Sequence, residues 1–215
     1  VSLGTEVESI SKTVAGWISG PTVIAIDTPL GWPTPMSAAL SGHHAGEHIA
    51  LSGDEMFSRL TDRTVYQTLG KKPLDVGANL IARAALAALG LIQQIRDDTG
   101  LALPLLWDPS ESGIIEVYPA ATLRSRGLTS DGYKKKNDEG FTVRRRLLDG
   151  LLSEVELATD RGLVERTDHT LDALLCMIAG ADFVYGNVVK PTAKEMETAR
   201  REGWIWFAPL AESTS

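Results

Sequence analysis

Cysteine occurs once in this chain of 215 residues, as Cys176. A lone cysteine excludes an internal disulfide, and a reducing cytoplasm is the compartment to expect. Cys176 lies in an apolar helical run, where an inert buried thiol is the ordinary outcome. No apolar stretch reaches the roughly 20 residues of a membrane span. The first residues do not read as a signal peptide, so no membrane partner is expected. Positive charge is also short: Lys and Arg number 21 against 28 Asp and Glu, a formal charge of −7. Such a chain is no general polyanion binder, and any contact with nucleic acid must come from a local basic patch. The glycine-rich phosphate loops of nucleotide-binding folds are missing, and so is the G-x-S-x-G nucleophile turn. Internal repeats, low-complexity tracts and linkers are absent too. Residues 1–215 are therefore expected to form a single domain.

What is present begins with residues 22–33, Thr-Val-Ile-Ala-Ile-Asp-Thr-Pro-Leu-Gly-Trp-Pro. Val23, Ile24, Ala25 and Ile26 are a short apolar run rich in β-branched residues. Such a run suits a strand covered on both faces, as in a parallel sheet. Pro29, Gly31, Pro33 and Pro35 forbid its continuation. Asp27 then closes the strand where open α/β sheets place ligands. It reads equally well as a residue capping its own turn. Residues 112–118 are a second strand, stopped by Pro119. Its Glu116 lies inside an apolar run, where a carboxylate is costly unless paired, hydrogen-bonded or bound to a metal.

Helical spacing covers residues 1–20, 75–98 and 167–185, the last capped by Thr167 or Asp168. Residues 101–107 are a short strand or a connection. Residues 35–58 read as loops and short helical turns, 192–201 as a short charged helix and 203–209 as a final strand. Asp168 and Asp172 are four apart, so they share one face of their helix. Like charges there repel unless a cation or the helix N-terminus compensates. Arg59-Leu-Thr-Asp-Arg63 is either a solvated turn or the rim of a site with Arg59 or Arg63 as an anion clamp. Lys134, Lys135, Lys136, Arg144, Arg145 and Arg146 form the basic stretch that phosphate contact needs. A solvated helix start explains it as simply.

Two constellations carry chemistry. His44-Ala-Gly-Glu47-His48 fits H-x-x-E-H, with His44 and His48 as zinc ligands and Glu47 as base on one helix. Gly42 and Gly46 weaken that helix, and an exposed His-rich loop is the simpler account. The second set is Asp27, Glu116, Asp168 and Asp172. Carboxylates from two neighbouring strands and a covering helix suit Mg2+ or Mn2+, which favour oxygen ligands. Two such ions about 4 Å apart activate water and stabilise a leaving oxygen in phosphodiester hydrolysis.

Six motifs follow in order between about residues 23 and 209. They are Ile26-Asp27-Thr28-Pro29-Leu30-Gly31-Trp32-Pro33, Arg59-x-Thr61-Asp62-Arg63, Glu116-Val117-Tyr118-Pro119-Ala120, Tyr133-Lys134-Lys135, Asp172-Ala173-Leu174 and Glu202-Gly203-Trp204-Ile205. Together they resemble the DUF429 family, described as predicted nucleases with an RNase H-like fold. The resemblance implies an α/β domain with a mixed sheet flanked by helices. Such a domain opens with a three-stranded meander whose first strand carries an aspartate. Here a helix comes first and the chain opens on Val1, so those N-terminal strands are expected to be cut away or missing. The expected activity is metal-dependent nucleic-acid hydrolysis. Asp27, Glu116 and Asp172 are its catalytic ligands of Mg2+ or Mn2+, and Asp168 is a fourth ligand or its support. Lys134 and Lys136 hold substrate phosphates, and Arg63 stabilises developing charge. The rivals are a non-catalytic binding module of the same fold and the zinc hydrolase of His44 and His48.

Overall fold

The apolar run after Pro21 is a strand, β1 (Val23–Ile26), and it pairs in parallel with β2 (Gly113–Glu116). The register sets Val23 against Gly113 and Ile26 against Glu116. The computed structural model describes residues 7–77 and 79–211. Residues 1–6 of the expected first helix therefore lie outside the described residues; its remainder is α1 (Val7–Trp17). Parallel neighbours require a crossover, and the long helix α5 (Asn79–Thr99) lies in the connection.

Side chains alternate across a strand, so β1 feeds two cores. Val23 and Ala25 pack with Ile115 and Val117 against Cys176, Ala179 and Phe183 of α9 (Asp168–Val184). Ile24, Ile26 and Ile114 pack against Ala88, Ile92 and Ile95 of α5, and α1 adds Val14 to the same cluster. The sheet is thus a thin layer between α9 and the α1–α5 pair. Each fully buried Leu or Ile stabilises by about 1.5–3 kcal/mol, which is why such runs specify the layers. Behind α9, a third cluster joins α6 (Pro119–Ser125), α7 (Asp138–Leu151) and α8 (Arg161–Arg166) through Leu123, Leu147, Leu148, Leu151 and Val164.

The α/β class expected from the sequence holds, but the sheet is smaller than expected and purely parallel. Residues 101–107 and 203–209 do not extend as strands among the described residues. Leu105 bridges Ile114, Ile205 bridges Glu116, and both lie in parallel on the edge of β2 away from β1. Two short segments share the position of one neighbouring strand. Residues 35–58 fold into the short helices α2 (Thr34–Leu40) and α3 (Gly53–Phe57). Residues 59–63 are not a solvated turn: Arg59 is buried, and Leu60 opens α4 (Leu60–Leu69), with Asp62 accepting from the Arg59 backbone N–H. Thr167 caps α9, accepting from the Thr170 N–H. No helix among the described residues is long and apolar enough to cross a membrane.

Candidate active site

The alternation that buries Val23 and Ala25 under α9 carries Asp27 to the same side, one residue beyond the end of β1. The helix runs back along the strand: Gly180 lies against Ala25, and Asp172, two turns nearer the start of α9, reaches the Asp27 carboxylate field. The charge of Asp172 thus bears on Asp27, which stands at the carboxyl end of β1. Asp172 is 8% exposed. The Tyr133 hydroxyl donates to its Oδ1 at 2.8 Å, and Lys134 Nζ pairs with its Oδ2 at 3.0 Å. Solvent reaches the Asp27 side chain, yet protein crowds the carboxylate from the other sides. That crowding, with repulsion from Asp172 and Glu116 set against the pull of Lys134, raises its pKa to about 6. Burial and the field of Asp27 push Tyr118 up to about 12. Burial and Asp172 likewise raise Tyr133, and burial first and Asp27 next raise the Cys176 thiol. Cys176 is the inert thiol expected from its setting.

Glu116 stands beside this pair but is held elsewhere. It is 3% exposed. Arg59, 1% exposed, grips both its oxygens, at 2.8 Å from Nη1 and 2.6 Å from Nη2. The Leu30 N–H donates to the same carboxylate at 3.0 Å. Arg59 also binds both oxygens of Asp62, at 3.1 and 2.9 Å, and the Glu202 carbonyl at 3.2 Å. Burial opposes the Arg59 charge, but Glu116 and Asp62 outweigh it and raise the Arg59 pKa. Glu202 extends the network, accepting from the N–H groups of Thr34 and Leu60 at 2.7 and 2.6 Å. The cost of burying Glu116, evident in the sequence, is met by a guanidinium 57 residues away. The mix of charge in residues 59–63 carried no sign that Arg59 turns inward.

Above these groups opens a cleft of about 440 Å3, lined by Asp27, Thr28, Tyr118, Tyr133, Lys134 and, from the α4–α5 connection, Lys71 and Lys72. Of the other expected phosphate binders, Lys136 is exposed outside the cleft lining, and Arg63 donates to the Ser58 carbonyl at 2.6 Å. Asp168 is half-buried in the first turn of α9. The basic stretch is only partly solvated. Arg144 is buried and donates to the carbonyls of Tyr133 and Glu165 at 2.6 and 2.9 Å, while Lys135 pairs with Glu139 at 2.5 Å. Lys71 and Lys72 went unmarked in the sequence because a dipeptide of lysines between helices is an ordinary surface feature.

His44 and His48 lie in irregular chain between α2 and α3, and the helix that zinc chemistry requires of them is not formed. His44 instead accompanies Glu47, whose carboxylate accepts from the His44 N–H at 3.1 Å. Among the described residues no group of three or more His, Cys, Asp or Glu side chains is placed to hold a metal ion.

The family described as a protein of unknown function, DUF429, matches residues 4–197. No curated protein and no solved structure matches the chain.

Proposed function

This chain belongs to the DUF429 family, and we propose that its cleft is the active site of a nuclease-type phosphoester hydrolase using one Mg2+ or Mn2+. The RNase H-like arrangement suggested by the motif order is part of this proposal. The observation that carries it is that Asp27 lines the cleft just beyond the end of β1, while Tyr133 and Lys134 of the same lining hold Asp172.

The donor set fits one hard cation. Such an ion is commonly held by one or two carboxylates, with waters and substrate phosphates completing its shell. Asp27 and Asp172 would be the two carboxylates, and the positive charge of the ion would relieve the repulsion that raises the Asp27 pKa. Glu116 has both oxygens engaged by Arg59, so we assign it the part of anchor for the floor of the site. When bound, the ion supplies charge stabilisation and a more acidic water.

The chain's own groups do the rest. The Tyr133 hydroxyl fixes the Asp172 carboxylate. Lys134 leaves Asp172 for the substrate phosphate, which its exposed ammonium reaches from the cleft wall. Water adds to phosphorus, one ester phosphorus–oxygen bond breaks, and the leaving oxygen takes the proton that the water gives up. The Lys134 charge offsets the negative charge that grows on the phosphoryl oxygens.

A second reading has an observation of its own. The Lys134–Asp172 pair already neutralises half of the carboxylate couple, as a non-catalytic binding module of this fold needs. Divalent-dependent cleavage of labelled single- and double-stranded DNA and RNA separates the two. Asp27→Asn, with unchanged circular dichroism, is expected to slow cleavage on the order of a thousand-fold. Equal rates in both proteins make Asp27 a turn residue. A folded wild type inert on every substrate supports the binding module.

A further inference from the structure

The cleft has two characters. Asp27, Thr28 and Lys134 give it polar lining from the loop after β1 and the 133–136 stretch; Pro73, Leu74 and Ile81 give it apolar lining from the α4–α5 connection and the start of α5. We infer that it takes a single nucleotide unit of one strand, phosphate at the polar lining and base against the apolar lining. The inference rests on the phosphoester reading for what happens to the phosphate, but not for the binding itself.

Size is the first argument. Small-ligand pockets run from roughly 300 to 1,000 Å3, and a cleft of about 440 Å3 belongs at the small end. It holds a nucleoside with its phosphate. Duplex binding needs an extended basic face, because duplex DNA carries one phosphate charge about every 1.7 Å of axis. This chain has a net charge of −7, and Arg144 of its basic stretch is buried.

The lining is the second argument. Leu74 is 67% exposed although it stands in a cleft wall. An apolar group left open beside Pro73 and Ile81 gains by being covered, and the face of a base covers it. The ligand's oxygens have partners as well. Lys71 pairs with Asp131 at 2.9 Å and Lys72 with Asp54 and Asp75 at 2.8 and 3.7 Å, all at the surface. Pairs of that kind contribute little, so either lysine exchanges its partner for a phosphate at small cost.

Binding is measured by calorimetry without divalent ions, using adenosine 5′-monophosphate, inorganic phosphate, a single-stranded 12-mer and its blunt duplex. The nucleotide is expected to bind about tenfold tighter than inorganic phosphate, and the single strand about tenfold tighter than the duplex. Leu74→Ser, a neutral change at an exposed position, is expected to erase the advantage of the nucleotide over phosphate while leaving phosphate binding and the melting temperature unchanged. Equal affinity for nucleotide and phosphate, an indifferent Leu74→Ser, or a duplex bound as well as a single strand each overturns the inference. Cleavage assays run in parallel tell the two failures apart. Nucleotide binding without any cleavage sinks the hydrolase and keeps the inference; cleavage of duplex and single strand alike, unaffected by Leu74→Ser, does the reverse.

Discussion

At the scale of residues, two carboxylates in adjacent positions of the site have opposite fates. Glu116 is matched by Arg59, whereas Asp27 is opposed by Asp172. Removing one partner of a buried pair leaves an uncompensated charge, which costs about 3–5 kcal/mol. That is a large part of the stability of an ordinary domain. Glu116→Gln is therefore expected to shift the urea midpoint strongly, and a change under about 1 kcal/mol would show that the pair is not what holds this region. Asp27 works the other way. Its folded pKa is about 6 against an ordinary 3.8, so between those values the folded protein binds more protons than the unfolded chain. Stability then falls as pH rises through that window, and the penalty is complete above it. Asp27→Asn is expected to melt higher than wild type at about pH 7.5, with the difference vanishing near pH 4. A variant that melts lower at both pH values would contradict the charge repulsion.

At the scale of elements, the Arg59–Glu116 network joins the loop after β1, the start of α4, the end of β2 and the end of α10 (Met196–Glu202). Two glycines permit that approach. A Cβ on Gly31 would stand 2.6 Å from the Glu202 carbonyl oxygen. Gly203 has a φ of 86°, a conformation other residues rarely adopt. Gly31→Ala forces backbone apart from backbone, and overpacking of this kind costs about 1–3 kcal/mol. Chemical denaturation is expected to show that loss. Because Leu30 holds Glu116 from the same loop, the variant is also expected to loosen the floor of the cleft, read as faster hydrogen exchange at the Leu30 amide. Unchanged stability and exchange would mean that the loop and α10 are not in contact in solution.

At the scale of the whole molecule, the net charge of −7 limits how nucleic acid is held. Affinity through phosphates appears as a slope of log K against log salt close to the number of phosphates neutralised. With Lys71, Lys72 and Lys134 as the cleft's lysines, the slope for single strands is expected to be no steeper than about −2. Lys134→Ala is expected to flatten it by about one unit, and Lys136→Ala, outside the lining, to leave it unchanged. A steep slope that responds to both lysines equally would place binding on the outer surface.

Local rules made the sheet and half of the site legible in the sequence. The β-branched run of residues 23–26 and the apolar run ending at Glu116 specified two buried parallel strands. The period of two in β1 and the spacing along α9 then set Asp27 within the field of Asp172. The Thr167 cap was readable for the same reason: a cap is a matter of three neighbouring residues. The partner of Glu116, the burial of Arg144 and the lysines of the cleft were decided only by the tertiary structure. A buried carboxylate demands a positive charge, but a guanidinium and a metal ion meet that demand equally well, and sequence spacing does not distinguish them. Only folding brings Arg59 across 57 residues to Glu116 and sets the charge of Asp172 against Asp27. The charges that look alike along the chain are separated by what surrounds them in space.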